Sequence, residues 1–233
     1  MADRDSEPSD VLTMIGEDLV QSREHKAPQT SRIDFDGLLQ PELVLHQDLA
    51  KGNGGQAWPA GMVLAKYLLR RKRDELREST ILELGAGSGL VGLAITVGCQ
   101  PTTPVCITDQ KPMLALMQQN TALNNLQDKV VPAVYNWGAD SLVPVAEHPD
   151  VVLAADCVYF EPAFPLLLES LEALIGPNTV CYFCYKKRRR ADQRFITALN
   201  KRFLVEPALD DPDRAAYTRQ NIFLYTIRRK EKR

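Results

Sequence analysis

Glycines at alternate positions, Gly85-Ala-Gly87-Ser-Gly89, stand directly behind the apolar run Ile81-Leu-Glu-Leu84, and Asp109 closes the next apolar run, Val105-Cys-Ile-Thr108. Glycine lets the chain turn sharply and lets a ligand approach the backbone with no Cβ in the way. A carboxylate at the end of the neighbouring strand can accept hydrogens from both hydroxyls of an adenosine ribose, and open α/β sheets bind ligands at the carboxyl ends of their strands. The pair predicts an adenosine-containing ligand. Gly87-x-Gly89-x-x-Gly92 also matches a pyrophosphate-binding turn, so a nicotinamide-dependent oxidoreductase stands as the second reading. It stands second because the run ends at Leu84: Gly85 is then the turn glycine, and Gly87 and Gly89 line the loop.

Metal chemistry finds less support. Cys181 and Cys184 form a C-x-x-C inside the strand-like run 179–185, where residues three apart face opposite ways. There is no second cysteine pair, and His25, His46 and His148 are scattered. Five cysteines, an odd number and mostly in apolar runs, read as reduced buried thiols.

These residues need a framework of alternating strands and helices. Expected strands are 80–84, 105–108, 130–134, 151–155 and 179–185; expected helices start at Pro59 and cover 90–97, 112–124, 164–174 and 192–202. The segments 203–205 and 221–227 can close the sheet as an antiparallel pair. Such alternation implies crossover connections and a mainly parallel sheet with helices on both faces. Ahead of it, Ile33-Asp-Phe-Asp36 and Leu43-Val-Leu-His-Gln47 look strand-like, and Lys51-Gly-Asn-Gly-Gly-Gln-Ala-Trp-Pro59 is a glycine-rich loop. Residues 1–30 are polar, with little apolar periodicity, and are expected to be a flexible or partly ordered extension. Residues 31–233 form the expected catalytic domain, with 31–55 as its lead-in.

The phrase E-L-G-x-G-x-G resembles motif I of class I, seven-strand S-adenosylmethionine methyltransferases. Four further segments narrow the likeness: Gly55-Gln-Ala-Trp58-Pro, Asn136-Trp137-Gly138, Ala155-Asp156-Cys-Val-Tyr159 and Tyr185-Lys-Lys-Arg188. Together, over roughly 43–190, they resemble the protein-lysine methyltransferases of the methyltransferase-like 21 family, and within it the fungal enzymes that act on translation elongation factor 1A. The resemblance implies a Rossmann-like seven-strand sheet and S-adenosyl-L-methionine as cofactor. It implies that Trp58, Gly85, Ala86, Gly87, Asp109, Trp137 and Ala155 contact that cofactor. It places Asp156 and Tyr159 beside the methyl donor as the catalytic pair, Asp156 attracting and orienting a lysine ammonium and Tyr159 positioning its nitrogen. A dry aromatic channel would also lower the lysine pKa by desolvation. The chain has no Asp/Asn-Pro-Pro-Tyr phrase, which favours lysine over base amines or glutamine amides as acceptor.

Charge bears on partners. The formal net charge is −2, so no global positive field draws the protein to nucleic acid. Lys186-Lys-Arg-Arg-Arg190 nevertheless lies on the ligand side of the sheet and is expected to dock an acidic rim of a protein substrate; the cluster 228–233 reads as solvated tail. No membrane span and no signal peptide are legible. The expectation is a cytoplasmic monomer acting on a protein, with a non-catalytic cofactor-binding module as a third reading.

Overall fold

The computed structural model describes residues 27–138 and 148–230. Each expected parallel strand is a short, nearly continuous apolar run, and such runs are stable only when both faces are covered. They become β3 (Ile81–Leu84), β4 (Val105–Asp109), β5 (Val130–Val134), β6 (Val151–Ala155) and β7 (Val180–Lys186). Two antiparallel additions, β8 (Phe203–Pro207) and β9 (Ile222–Arg229), complete a seven-stranded sheet of order β5-β4-β3-β6-β7-β9-β8. The first five strands run parallel, and β9 runs against both β7 and β8. The order reverses between β3 and β6, so a crevice opens where their carboxyl ends diverge.

Alternation along the strands sends side chains into two separate cores. On one face Ile81, Ile107, Leu153, Tyr182 and Cys184 pack with helices α1 (Pro59–Arg71), α3 (Leu90–Cys99) and α4 (Lys111–Leu123) through Leu64, Leu68, Leu93 and Met117. On the other, Leu82, Val152, Cys181 and Phe183 pack with α5 (Phe164–Leu174) and α6 (Arg190–Arg202) through Leu171, Phe195 and Leu199. Cys181 and Cys184 thus lie on opposite sides of the sheet, and all five cysteines are buried free thiols.

A hairpin of β1 (Gln29–Ile33) and β2 (Leu43–Gln47) precedes this domain. It docks on α4 through two asparagines that treat its backbone as a strand partner would. The His46 amide donates to the Asn120 side chain at 2.8 Å and the Val44 amide to Asn124 at 2.9 Å; both asparagines donate back to the carbonyls of the same residues. The buried Asn120 also donates to the carbonyl of Ser88, fixing the hairpin to the glycine loop.

One expectation is corrected, and the structure adds to two others. Ile33–Asp36 is not a strand: β1 ends at Ile33, and Phe35 and Asp36 turn through positive φ while the Asp34 carboxylate accepts the amides of Asp36 and Gly37. An aspartate that captures nearby amides competes with strand pairing. The expected extension 1–30 lies outside the described residues as far as 26, but Gln29 and Thr30 already belong to β1. Two short helices, α2 (Arg73–Arg77) and α7 (Arg214–Arg219), were not legible, being too short for a periodic signal. Among the described residues no helix is long and apolar enough to cross a membrane.

Candidate functional site

The turn after β3 is built on left-handed backbone that glycine adopts without strain. Gly85, Gly87 and Gly89 all have positive φ (62°, 57° and 86°), and Gly89 caps α3. A Cβ on Gly87 would sit 2.5 Å from the carbonyl oxygen of Gly54, because the glycine-rich loop of 52–55 lies backbone to backbone on the motif. A Cβ on Gly85 would sit 2.9 Å from Cys157 Sγ and 3.1 Å from the Trp137 ring. Both positions need glycine twice over, for conformation and for space. Beneath the turn the buried Glu83 accepts the Gly92 amide at 2.8 Å, and burial pushes its carboxyl up to about 8.

Asp109 ends β4 facing this turn. Its carboxylate accepts the Gly87 amide at 2.8 Å and the Gln110 amide at 2.7 Å, which leaves lone pairs on both oxygens for a ligand. Burial raises the carboxyl above its ordinary value, opposed by those two amides. Trp58 caps α1 and donates its indole N–H to the Asn53 carbonyl at 2.8 Å. Trp137 follows β5, held by Gly138, whose amide donates to Ser170 on α5 at 2.9 Å.

A cavity of about 580 Å³ lies between these parts, and Trp58, Gly85, Ala86, Gly87, Asp109, Trp137, Ala155, Asp156 and Tyr159 all line it. Every residue expected at the site therefore meets at one place. The volume suits a nucleoside-sized ligand. The residues also fit one: a floor of glycines that any Cβ would fill, a carboxylate at the rim and two aromatic walls. Asn53, Gly54, Gln56, Phe160 and Arg188 line the cavity as well. The sequence marked 51–59 as a loop but carried no sign that it folds over the motif.

Asp156 is arranged differently from its neighbours. Its backbone is left-handed (φ 53°), its amide donates to the Cys184 carbonyl at 2.8 Å, and only 4% of its side chain is exposed. Its two oxygens accept both terminal nitrogens of Arg188, at 3.0 and 3.3 Å, and one also accepts the Lys186 amide at 3.1 Å. The Arg188 guanidinium lies 5.6 Å from the centroid of a Trp58 ring. So the carboxylate at the end of β6 holds a cation, supplied here by the chain itself. Tyr159 and Phe160 stand at the mouth, 48% and 56% exposed, and burial on its inner side raises the Tyr159 hydroxyl above its ordinary value. A closed carboxylate site for a cation, next to aromatic rings and a nucleoside-sized cradle, can bring an amine to an adenosyl ligand. Among the described residues no group of three His, Cys, Asp or Glu is placed to hold a metal ion.

A sequence profile described as lysine methyltransferase matches residues 38–202. The chain is similar to the protein-lysine N-methyltransferase EFM6 of Saccharomyces cerevisiae, 34% identical over 238 residues, covering 91% of this chain and 96% of that protein. It is similar to the EEF1A lysine methyltransferase 3 of Mus musculus, 32% identical over 208 residues, covering 87% of this chain and 84% of that one. Among solved structures, the T. thermophilus 16S rRNA methyltransferase RsmC shares the fold with a TM-score of 0.60 at 14% identity, covering 87% of this chain and 50% of that one.

Proposed function

The chain belongs to the lysine methyltransferase family, and from that membership we propose which residues carry the reaction and on what protein. It is an S-adenosylmethionine-dependent protein-lysine methyltransferase. The cofactor supplies an activated methyl group, so the protein's task is largely to position the acceptor and exclude water. Gly85, Ala86 and Gly87 form the floor under the cofactor, and Asp109 holds its ribose through the lone pairs that Gly87 and Gln110 leave free. Trp137 and Ala155 form one wall, and Trp58 closes the cavity from the side of α1.

Asp156 and Tyr159 receive the lysine. At pH 7 a neutral amine costs about 4–5 kcal/mol, from a reference pKa near 10.4. Half-buried Trp58 and Trp137, with Tyr159 and Phe160, give the ammonium a poorly hydrated path, which lowers its pKa, while the buried Asp156 orients the ammonium and by its charge opposes that lowering. The amine's proton then leaves toward Asp156 or solvent, and Tyr159 holds the nitrogen in line. The observation that carries this reading is the convergence of the β3 turn, Asp109 and Asp156 on one cavity at the reversal of strand order.

The substrate is translation elongation factor 1A and the site of action the cytoplasm, where that factor works. The motif resemblance supports this, as does a relative named for EEF1A lysine methylation that matches most of this chain. The test is incubation with labelled S-adenosylmethionine and lysate lacking the endogenous enzyme, followed by mass spectrometry of labelled protein. Label on a lysine of the elongation factor is expected. Label confined to another protein would remove the substrate assignment, and no labelled lysine on any protein would remove the mechanism.

A further inference from the structure

A second cleft, about 840 Å³, runs along α6 and meets the cavity at Arg188 and Arg189. Its charged lining is entirely cationic, and the cations differ in how they are held. Arg189 is anchored to Asp192, which is fully buried, and Arg194 to Glu161. Lys187, Arg190 and Lys201 pair with no carboxylate among the described residues. In a chain of net charge −2 this is a concentrated positive patch at the mouth of the cavity.

Arg188 sits where the two meet. Arg188 sits on both oxygens of Asp156 and the Lys186 amide on one of them, so a single lone pair is left and a lysine ammonium that pairs closely with this carboxylate competes with the guanidinium. Withdrawing Arg188 alone would leave a buried carboxylate unpaired, which is strongly unfavourable. Once withdrawn, the guanidinium would face a cleft of like charge. We infer that the substrate segment brings an acidic side chain next to its target lysine. As the ammonium replaces Arg188 on Asp156, that carboxylate takes the released guanidinium, and Lys187, Arg190 and Lys201 hold further acidic residues along α6. Two ion pairs exchange partners and no charge is left uncompensated. The inference rests on the methyltransferase reading above and adds the acidic neighbour as a specificity element.

An acidic polypeptide is favoured over RNA because the exchange needs one carboxylate tethered beside one lysine, and because no aromatic side chain interleaves the cations to stack a base. The test begins from the lysine labelled in lysate. An Asp or Glu within a few residues of it, or adjacent in the folded substrate, is expected. Neutralising that residue should slow transfer about two- to fivefold. In a double-mutant cycle, the same change should have little further effect in Arg188→Gln enzyme. The variant K187Q/R190Q/K201Q, whose three positions lie outside the cavity lining, should lose most of its binding to a fluorescent glutamate-rich peptide, measured by anisotropy at low salt. Additive effects in the cycle, or a labelled lysine with no acidic neighbour, would overturn the inference while leaving the methyltransferase reading intact. Tighter binding of single-stranded RNA than of the peptide, lost in the same variant, would also overturn it. Absence of any labelled lysine would remove both.

Discussion

Asp109 and Asp156 are both aspartates at strand ends, yet their surroundings assign them different work. Asp109 keeps open lone pairs toward the cavity, so Asp109→Asn should weaken S-adenosylmethionine binding by roughly ten- to a hundredfold in calorimetry, since charge-assisted hydrogen bonds are worth about 1.5–3 kcal/mol. The raised Asp109 carboxyl adds a pH dependence. Ligand affinity depends on the ionised form, so it is present above the raised value and lost as pH falls through it. The loss should begin at higher pH than for an exposed aspartate, and D109N should show no such step. Asp156 has a left-handed backbone that asparagine tolerates better than alanine, which makes Asp156→Asn the cleaner variant. Cofactor affinity should stay near the parent value while methyl transfer falls about a hundredfold, as expected when an acceptor is no longer oriented. Transfer near the parental rate would show that Asp156 has only a structural role. Asp109 was legible in the sequence as a carboxylate closing an apolar run, and Asp156 through the segment Ala155-Asp156-Cys-Val-Tyr159 that carries the family resemblance. Arg188 was legible as one member of a basic run and as the end of a family segment, but not as the partner of Asp156, because that pairing crosses 32 positions and depends on β6 and β7 being neighbours.

At the scale of elements, two tight fits set the geometry of the cradle. The loop of 52–55 reaches the β3 turn only because Gly54 and Gly87 both lack a Cβ. Gly87→Ala combines a left-handed backbone, costing about 1–2 kcal/mol, with a contact that forces the loop away. A lower melting temperature and loss of cofactor binding are expected in differential scanning fluorimetry; unchanged binding would mean the loop does not form the cavity wall. The second fit is Glu83, buried under the turn with its carboxyl raised to about 8. The folded protein keeps a proton that the unfolded chain releases above about 4.5. This stabilisation is therefore complete below about 4.5 and disappears as pH rises to about 8, at a slope of up to ~1.4 kcal/mol per pH unit. Glu83→Gln can still accept the Gly92 amide and carries no charge, so its denaturant-unfolding free energy should vary less with pH across this window than the parent's. The strands and the longer helices followed from apolar periodicity to within a few residues. The hairpin's docking did not, because Asn120 and Asn124 act through backbone groups of β2 that no hydrophobic pattern marks.

For the molecule as a whole, the alternation of strands and helices predicted a mainly parallel sheet, but the order β5-β4-β3-β6-β7-β9-β8 became visible only in the structure. That order matters because it opens the crevice beside β3 in which the ligand site is built. In the rejected oxidoreductase reading, a pyrophosphate would sit on the N-terminus of α3 behind Gly89. Here Gly89 is buried and a Cβ on it would touch Ile107 and Leu93, so it serves helix packing. The cavity is instead walled by Trp58, Trp137 and Tyr159, around space for a nucleoside with a short side chain. Ligand that binds only the folded state raises its stability by about 2.7 kcal/mol at a hundred times Kd. For a domain of this size that corresponds to a melting shift of about 5–11 °C. S-adenosylmethionine and S-adenosylhomocysteine should both produce it and NAD(H) should not, in the parent and in Asp156→Asn alike. A shift with NAD(H) alone would return the dinucleotide reading. A shift with S-adenosylhomocysteine that survives Asp109→Asn undiminished would mean that the ligand is gripped somewhere other than at the ends of β3 and β4.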